Sequence, residues 1–236
     1  MKTSRRNFLV GTTVVATSAL ANPLAGLALQ KTKAPAKAAA KKEEPKEDVS
    51  TNEDLMREHG VLNRVLLIYD EAMRRIQANQ KFDATVVARS ADIIRTFIED
   101  YHEKLEEDHI FPRFEQSGKL VELTVNLRAQ HAIGRRLTES IVAMAKSGDM
   151  QKLNTSLAGF NRMYRPHEAR EDTVLFPALH SVVSKHEYDA MGEEFEKIEH
   201  KTFGGDGFDM AVDKVTELEK QFEIYDISQF TAMPPG

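Results

Sequence analysis

The sequence contains no cysteine. That excludes disulfides, thiolate metal sites, iron–sulfur clusters, covalent haem attachment and a cysteine nucleophile, so any bound metal must be held by histidine and carboxylate. An alternating strand pattern, a glycine-rich phosphate loop and a Ser–His–Asp arrangement are also lacking, which leaves no sign of a sheet, a nucleotide site or a hydrolase of that type. The net charge of −5 is unevenly spread: residues 1–48 carry nine Lys or Arg against four Asp or Glu, a net of +5, so the remainder carries −10. A nucleic-acid-binding domain should be basic, and no such partner is expected of so acidic a remainder. What is present is 41% hydrophobic and 29% charged residues, enough apolar content for a folded core. One domain with tails is the simplest organisation for 236 residues.

The N-terminus reads Ser4-Arg5-Arg6-Asn7-Phe8-Leu9, followed by an apolar stretch to about Leu20 and the small residues Ala19-Leu20-Ala21. It resembles a bacterial twin-arginine signal peptide, and residues 1–28 are assigned to it. The apolar stretch holds several Thr and Ser and falls short of the roughly 20 residues that a spanning helix needs. Export to the periplasm, with no stable membrane span after signal removal, is therefore expected. Residues 29–51 are Lys, Ala, Pro and Glu with almost no large apolar side chain, the composition of a disordered linker.

From Leu55 onward the periodicity is helical. Leu55, His59, Leu62, Leu66, Tyr69, Met73 and Ile76 form one inward stripe. A second helix, from about Asp83 to Glu107, turns Ile94, Ile98, His102 and Leu105 inward; a third, from about Lys119 to Lys146, does so with Leu127, His131 and Ile141. The fourth carries Met150, Leu153, Leu157, Phe160, Tyr164, His167, Glu171 and Val174 on its apolar face. Four such helices on short connections predict an all-α, antiparallel up-down-up-down four-helix bundle over residues 52–186. Residues 187–236, with helical patterns near 189–199 and 210–222, form an extension packed outside it.

The strongest signal is an internal repeat. His102-Glu103-x-x-Glu106-Glu107-x-x-x-Phe111-Pro112 returns as His167-Glu168-x-x-Glu171-Asp172-x-x-x-Phe176-Pro177, and each copy follows a helix with one inward histidine, His59 or His131. Histidine and glutamate four apart share a helix face, so each pair can present a nitrogen and an oxygen to one point. An ionised carboxylate buried unpaired costs several kcal/mol, and a pair of cations bridged by the glutamates removes that penalty. The candidate metal set is His59, His102, Glu106, His131, His167 and Glu171. His109 is left out because its counterpart in the second copy is Val174, and His180, His186 and His200 fall beyond the repeat and are read as exposed. Glu103 and Glu168 are read as solvated helix charges. Imidazole with carboxylate and no sulfur suits iron, manganese or zinc, and bridging carboxylates favour a dinuclear iron or manganese centre.

The order of these residues, with Phe-Pro after each pair, resembles the hemerythrin-like, HHE cation-binding family over about residues 52–185. The resemblance implies a non-haem di-iron centre with those six residues as ligands. Oxygen-carrying members have a further histidine where this chain has Arg135. The open position is then left to water, Glu103 or Tyr164, and reversible oxygen carriage does not follow. Three functions remain: binding of a small ligand such as O2, NO or peroxide; enzymatic turnover of peroxide or NO, with Tyr69, Tyr101 or Tyr164 as donors; and storage or handling of iron.

Overall fold

The computed structural model describes residues 49–232 and 234. The expected signal peptide and all but the last three residues of the expected linker lie outside the described residues. Among the described residues there are six long helices and no strand. α1 is Thr51–Gln77, begun by the Ser50 side chain, which accepts from the Glu53 amide. α2 is the continuous helical run 84–117, capped by Asp83 through the Thr85 amide and ended by Gly118 at φ 71°. That left-handed conformation suits glycine, which has no Cβ to clash. α3 is Val121–Ser147 and α4 the run 150–178, with Gly148 and the Asp149 cap between them. α5, Lys185–Phe203, opens with a capping box of Ser184 and Glu187; α6 is Gly207–Gln221.

Helix neighbours are set by packing of the inward stripes: α1 lies against α4 and α2, and α3 lies against α2 and α4. Cross-helix hydrogen bonds give the directions. Along α1, His59, Asn63 and Leu66 meet Asp172, Glu168 and Asn161 of α4 in falling order, so these two helices are antiparallel. Along α2, Glu99, Glu103 and Glu107 meet Thr138, Arg135 and His131 of α3 in falling order as well. α5 and α6 pack on α1 and α2, burying Phe195, Val215, Leu218 and Phe222 and pairing Arg64 with Glu219.

Two expectations need correction, and both fail for one reason. α2 does not end near Glu107 but runs to Ser117, and Val174 is 38% exposed while Leu175 is buried. The helices contain π-helical turns at Ile94–His102, Glu106–Ile110 and Glu171–Leu175, where the backbone bonds span five residues: Phe111 N–H reaches the Glu106 carbonyl and Phe176 N–H the Glu171 carbonyl. Each such turn holds one extra residue and rotates everything after it, so Leu175 takes the inward place that an unbroken 3.6 period gives to Val174. Two of these turns, Glu106–Ile110 and Glu171–Leu175, end just before Phe111-Pro112 and Phe176-Pro177, where an α-helix would suffer the clash between the proline ring and the carbonyl four residues back.

Candidate metal centre

The six residues singled out in the sequence come together, all buried, in the middle of α1–α4. Each imidazole is oriented from its outer nitrogen. His59 Nδ1 lies 2.8 Å from Asp172, His102 Nδ1 2.7 Å from Glu58, His131 Nδ1 3.1 Å from Glu107 and His167 Nδ1 2.8 Å from the Gln130 side-chain oxygen. An acceptor at Nδ1 draws the ring proton there and leaves Nε2 as the atom that faces the centre. The Nε2 atoms converge in pairs, His59 with His102 at 3.0 Å and His131 with His167 at 3.2 Å. Phe176 stacks on the His59 ring and Phe111 on the His131 ring, at 5.5 Å in both cases. The repeated Phe-Pro thus serves both the helix turn and the site: each phenylalanine clamps the histidine supplied by the other hairpin.

Between the two histidine pairs stand the two glutamates. Glu106 has one oxygen 3.8 Å from His102 Nε2 and the other 3.5 Å from His131 Nε2; Glu171 has one 3.1 Å from His167 Nε2 and the other 3.4 Å from His59 Nε2. Each carboxylate therefore spans both pairs. Both side chains are 0% exposed, and none of their four oxygens has a hydrogen-bond partner. Donor atoms of Glu106, His131, His167 and Glu171 all lie within 4.8 Å of one another, as do those of His59, His102 and Glu106. Imidazole nitrogens and carboxylate oxygens that converge in this way are what a cation satisfies, and the residues fit one at each histidine pair.

The electrostatics point the same way. Burial pushes the Glu106 carboxyl well above the ordinary carboxylate range, and the neighbouring Glu171 charge adds to it. Glu171 is equally buried, yet His167 and His59 hold it well below that range. His59 loses by burial but gains more from Asp172 and Glu171, and rises to about 10. Burial holds His102 well below its ordinary value and His131 at about 4. Without metal, protons on some of these groups stand in for the missing positive charge.

Several neighbours went unrecognised in the sequence or were misread. Glu103 and Glu168 are not solvated charges: they are 1% and 3% exposed, and burial pushes each to about 8. Glu103 accepts from the Tyr164 hydroxyl at 2.7 Å and from Arg135 at 2.8 Å, while Glu168 accepts from Asn63. The Arg135 that stands in place of a fifth histidine is thus tied to Glu103 and, at 2.8 Å, to Glu107. Gly134 makes room for this: a Cβ there would lie 2.0 Å from the Tyr164 hydroxyl. Glu58, Glu107, Gln130 and Asp172 were also missed as histidine partners. Each adjoins a candidate ligand in the chain, which is the signal that could have found them. His180 and His186 are exposed as expected, whereas His200 is half-buried.

Fold and site together define a helical protein with a histidine–carboxylate cation-binding centre in its core. More narrowly, the chain belongs to the hemerythrin family: the Hemerythrin HHE cation binding domain matches residues 50–179, more than half of its length. It is similar to the uncharacterized proteins Rv1995 of Mycobacterium tuberculosis (strain ATCC 25618 / H37Rv) and Mb2018 of Mycobacterium bovis (strain ATCC BAA-935 / AF2122/97). Each is 52% identical over 189 residues, which cover 78% of this chain and 74% of the relative. No solved structure gives a significant match.

Proposed function

We propose that the protein is an exported, non-haem di-iron protein built on an antiparallel up-down-up-down four-helix bundle. In this reading it binds a small oxygen- or nitrogen-centred ligand, O2, NO or peroxide, in the periplasm. The observation that carries it is the pair of buried glutamates whose four unpartnered oxygens divide evenly between two histidine pairs. His59 and His102 would hold one ion, His131 and His167 the other, with Glu106 and Glu171 bridging. The residues would offer each ion two nitrogens and two oxygens, fewer donors than iron takes, which would leave room for an outside ligand. When bound, the iron pair would supply one-electron steps and a Lewis-acid position for such a ligand.

The chain's own residues supply the rest. Glu58, Asp172, Glu107 and Gln130 fix the four ring orientations, and Phe111 and Phe176 keep bulk water from His131 and His59. The Tyr164 hydroxyl, bonded to Glu103 beside the His131 and His167 pair, holds a proton close to the centre. That placement favours a second reading, turnover of peroxide or NO, over simple carriage. Export rests on the twin-arginine sequence. Among the described residues no helix is long and apolar enough to cross a membrane.

The test is to expose the reduced, iron-loaded protein to O2, NO and peroxide in turn and follow its optical spectrum. Reversible bands with O2 or NO support binding, and steady peroxide loss with many turnovers supports the enzyme. An unchanged spectrum with all three would contradict both readings. Iron far above two per chain would favour storage instead.

A further inference from the structure

The near-twofold repeat of the centre is broken in its outer ring of hydrogen bonds, and the break falls on one histidine pair. Around His59 and His102 both Nδ1 acceptors are carboxylates, Asp172 at 2.8 Å and Glu58 at 2.7 Å. Around His131 and His167 the ring is poorer in negative charge. His131 faces Glu107, but that carboxylate is shared with Arg135 at 2.8 Å and Lys104 at 2.5 Å. His167 faces the neutral amide of Gln130 at 2.8 Å. Gln130 stands immediately before His131 as Glu58 stands immediately before His59, so the repeat itself shows the substitution: an amide where the first hairpin has an acid. The cation Arg135 likewise stands where the first hairpin has neutral Asn63, since Arg135 follows His131 by four as Asn63 follows His59. The two bond the corresponding glutamates, Glu103 and Glu168.

A carboxylate that accepts the Nδ1 proton makes the opposite nitrogen a stronger donor to a metal, and outer partners of this kind change metal affinity by about 10- to 100-fold. An amide carbonyl does so less, and a guanidinium beside the acceptor weakens it further and repels a cation directly. We infer that the two cation positions are unequal: the ion at His59 and His102 is held tightly, and the ion at His131 and His167 is the exchangeable one, with Gln130 and Arg135 as the positioning residues that set the difference. This rests on the dinuclear reading above.

The experiment is anaerobic release of ferrous iron from the fully loaded full-length protein to an excess of chelator. The expected course is two phases of one iron each, with rates differing by about tenfold or more. Gln130→Glu should slow the fast phase by a comparable factor and leave the slow phase in place. Asp172→Asn, at a half-buried position, should instead speed the slow phase. Both irons leaving in one phase would overturn the inference and leave the dinuclear reading standing, whereas a folded protein that takes up no iron would overturn both. An unchanged fast phase in a Gln130→Glu protein with wild-type circular dichroism and iron content would also overturn it. Should that variant fail to fold, the Asp172→Asn slow phase decides, and its staying at the wild-type rate would count against the inference.

Discussion

Glu106 and Glu171 are costly residues for an apolar core. Burial of an unpaired carboxylate costs several kcal/mol even after relaxation, and here two lie side by side with all four oxygens unpartnered. Replacing one by its neutral isostere separates the folding cost from the binding gain. Glu106→Gln should leave the metal-free protein as stable as before or more so in thermal unfolding. It should also lose most of the stabilisation that iron confers, which is about 2.7 kcal/mol when the metal is at 100 times its Kd. A metal-free helical protein would show no such iron-dependent difference. The pH dependence follows from the same residues. Burial raises Glu103 and Glu168 from the ordinary carboxylate range to about 8, and His59 stands at about 10 because Asp172 and Glu171 outweigh its burial. A group whose folded value is raised stabilises fully below its unfolded value and loses that contribution as pH rises toward the folded one. From pH 6.5 to 8 all three groups keep protons that the unfolded chain releases, so the metal-free protein should melt at a lower temperature at pH 8 than at pH 6.5. Glu168→Gln should flatten that slope. His131, held at about 4 by burial, works in the opposite direction only between pH 6.5 and 4, where stability falls as pH falls.

At the scale of the helix, the π-turns set which residues face the site. Glu171–Leu175 carries one residue more than an α-turn, and by that residue Phe176 is brought over His59 and Leu175 into the core. Deleting Thr173, whose side chain is exposed, should turn the π-turn into an α-turn and leave Leu175 inward and Phe176 over His59, because the chain after it moves back by the one residue that was extra. The expected result is a folded helical protein that still takes up iron, read by circular dichroism and metal content; lost binding would show that the widened turn itself, and not only the facing of Phe176, is needed at the site. These turns also mark what could be read in advance. The spacing of Leu55, His59, Leu62 and Leu66, or of Phe160, Tyr164, His167 and Glu171, predicted the helices and the inward faces because steps of three and four are a property of the α-helix itself. The stop Ser147-Gly148-Asp149 marks the end of α3 in the sequence for the same local reason. The π-turns carry no such period, so Val174 and the length of α2 were misjudged. Glu103, Glu168, Glu58 and Gln130 look like surface residues in the sequence, because their burial is decided by helices distant in the chain.

For the whole molecule, the acidic helical part and the basic, twin-arginine N-terminus propose a protein that folds around its metal before it crosses a membrane. Replacing Arg5 and Arg6 by lysine should strand the protein in the cytoplasm, as fractionation would show; undisturbed export would remove the twin-arginine route, and unsubstituted protein found in the cytoplasm would remove the periplasmic proposal, either leaving the metal centre untouched. The central claim is that two irons share the glutamates of one chain, and X-ray absorption together with iron analysis of the purified protein tests it most directly. The account predicts two irons per chain and an iron–iron distance on the order of 3.5 Å. A folded protein with one iron per chain, or with no iron–iron scattering, would contradict it.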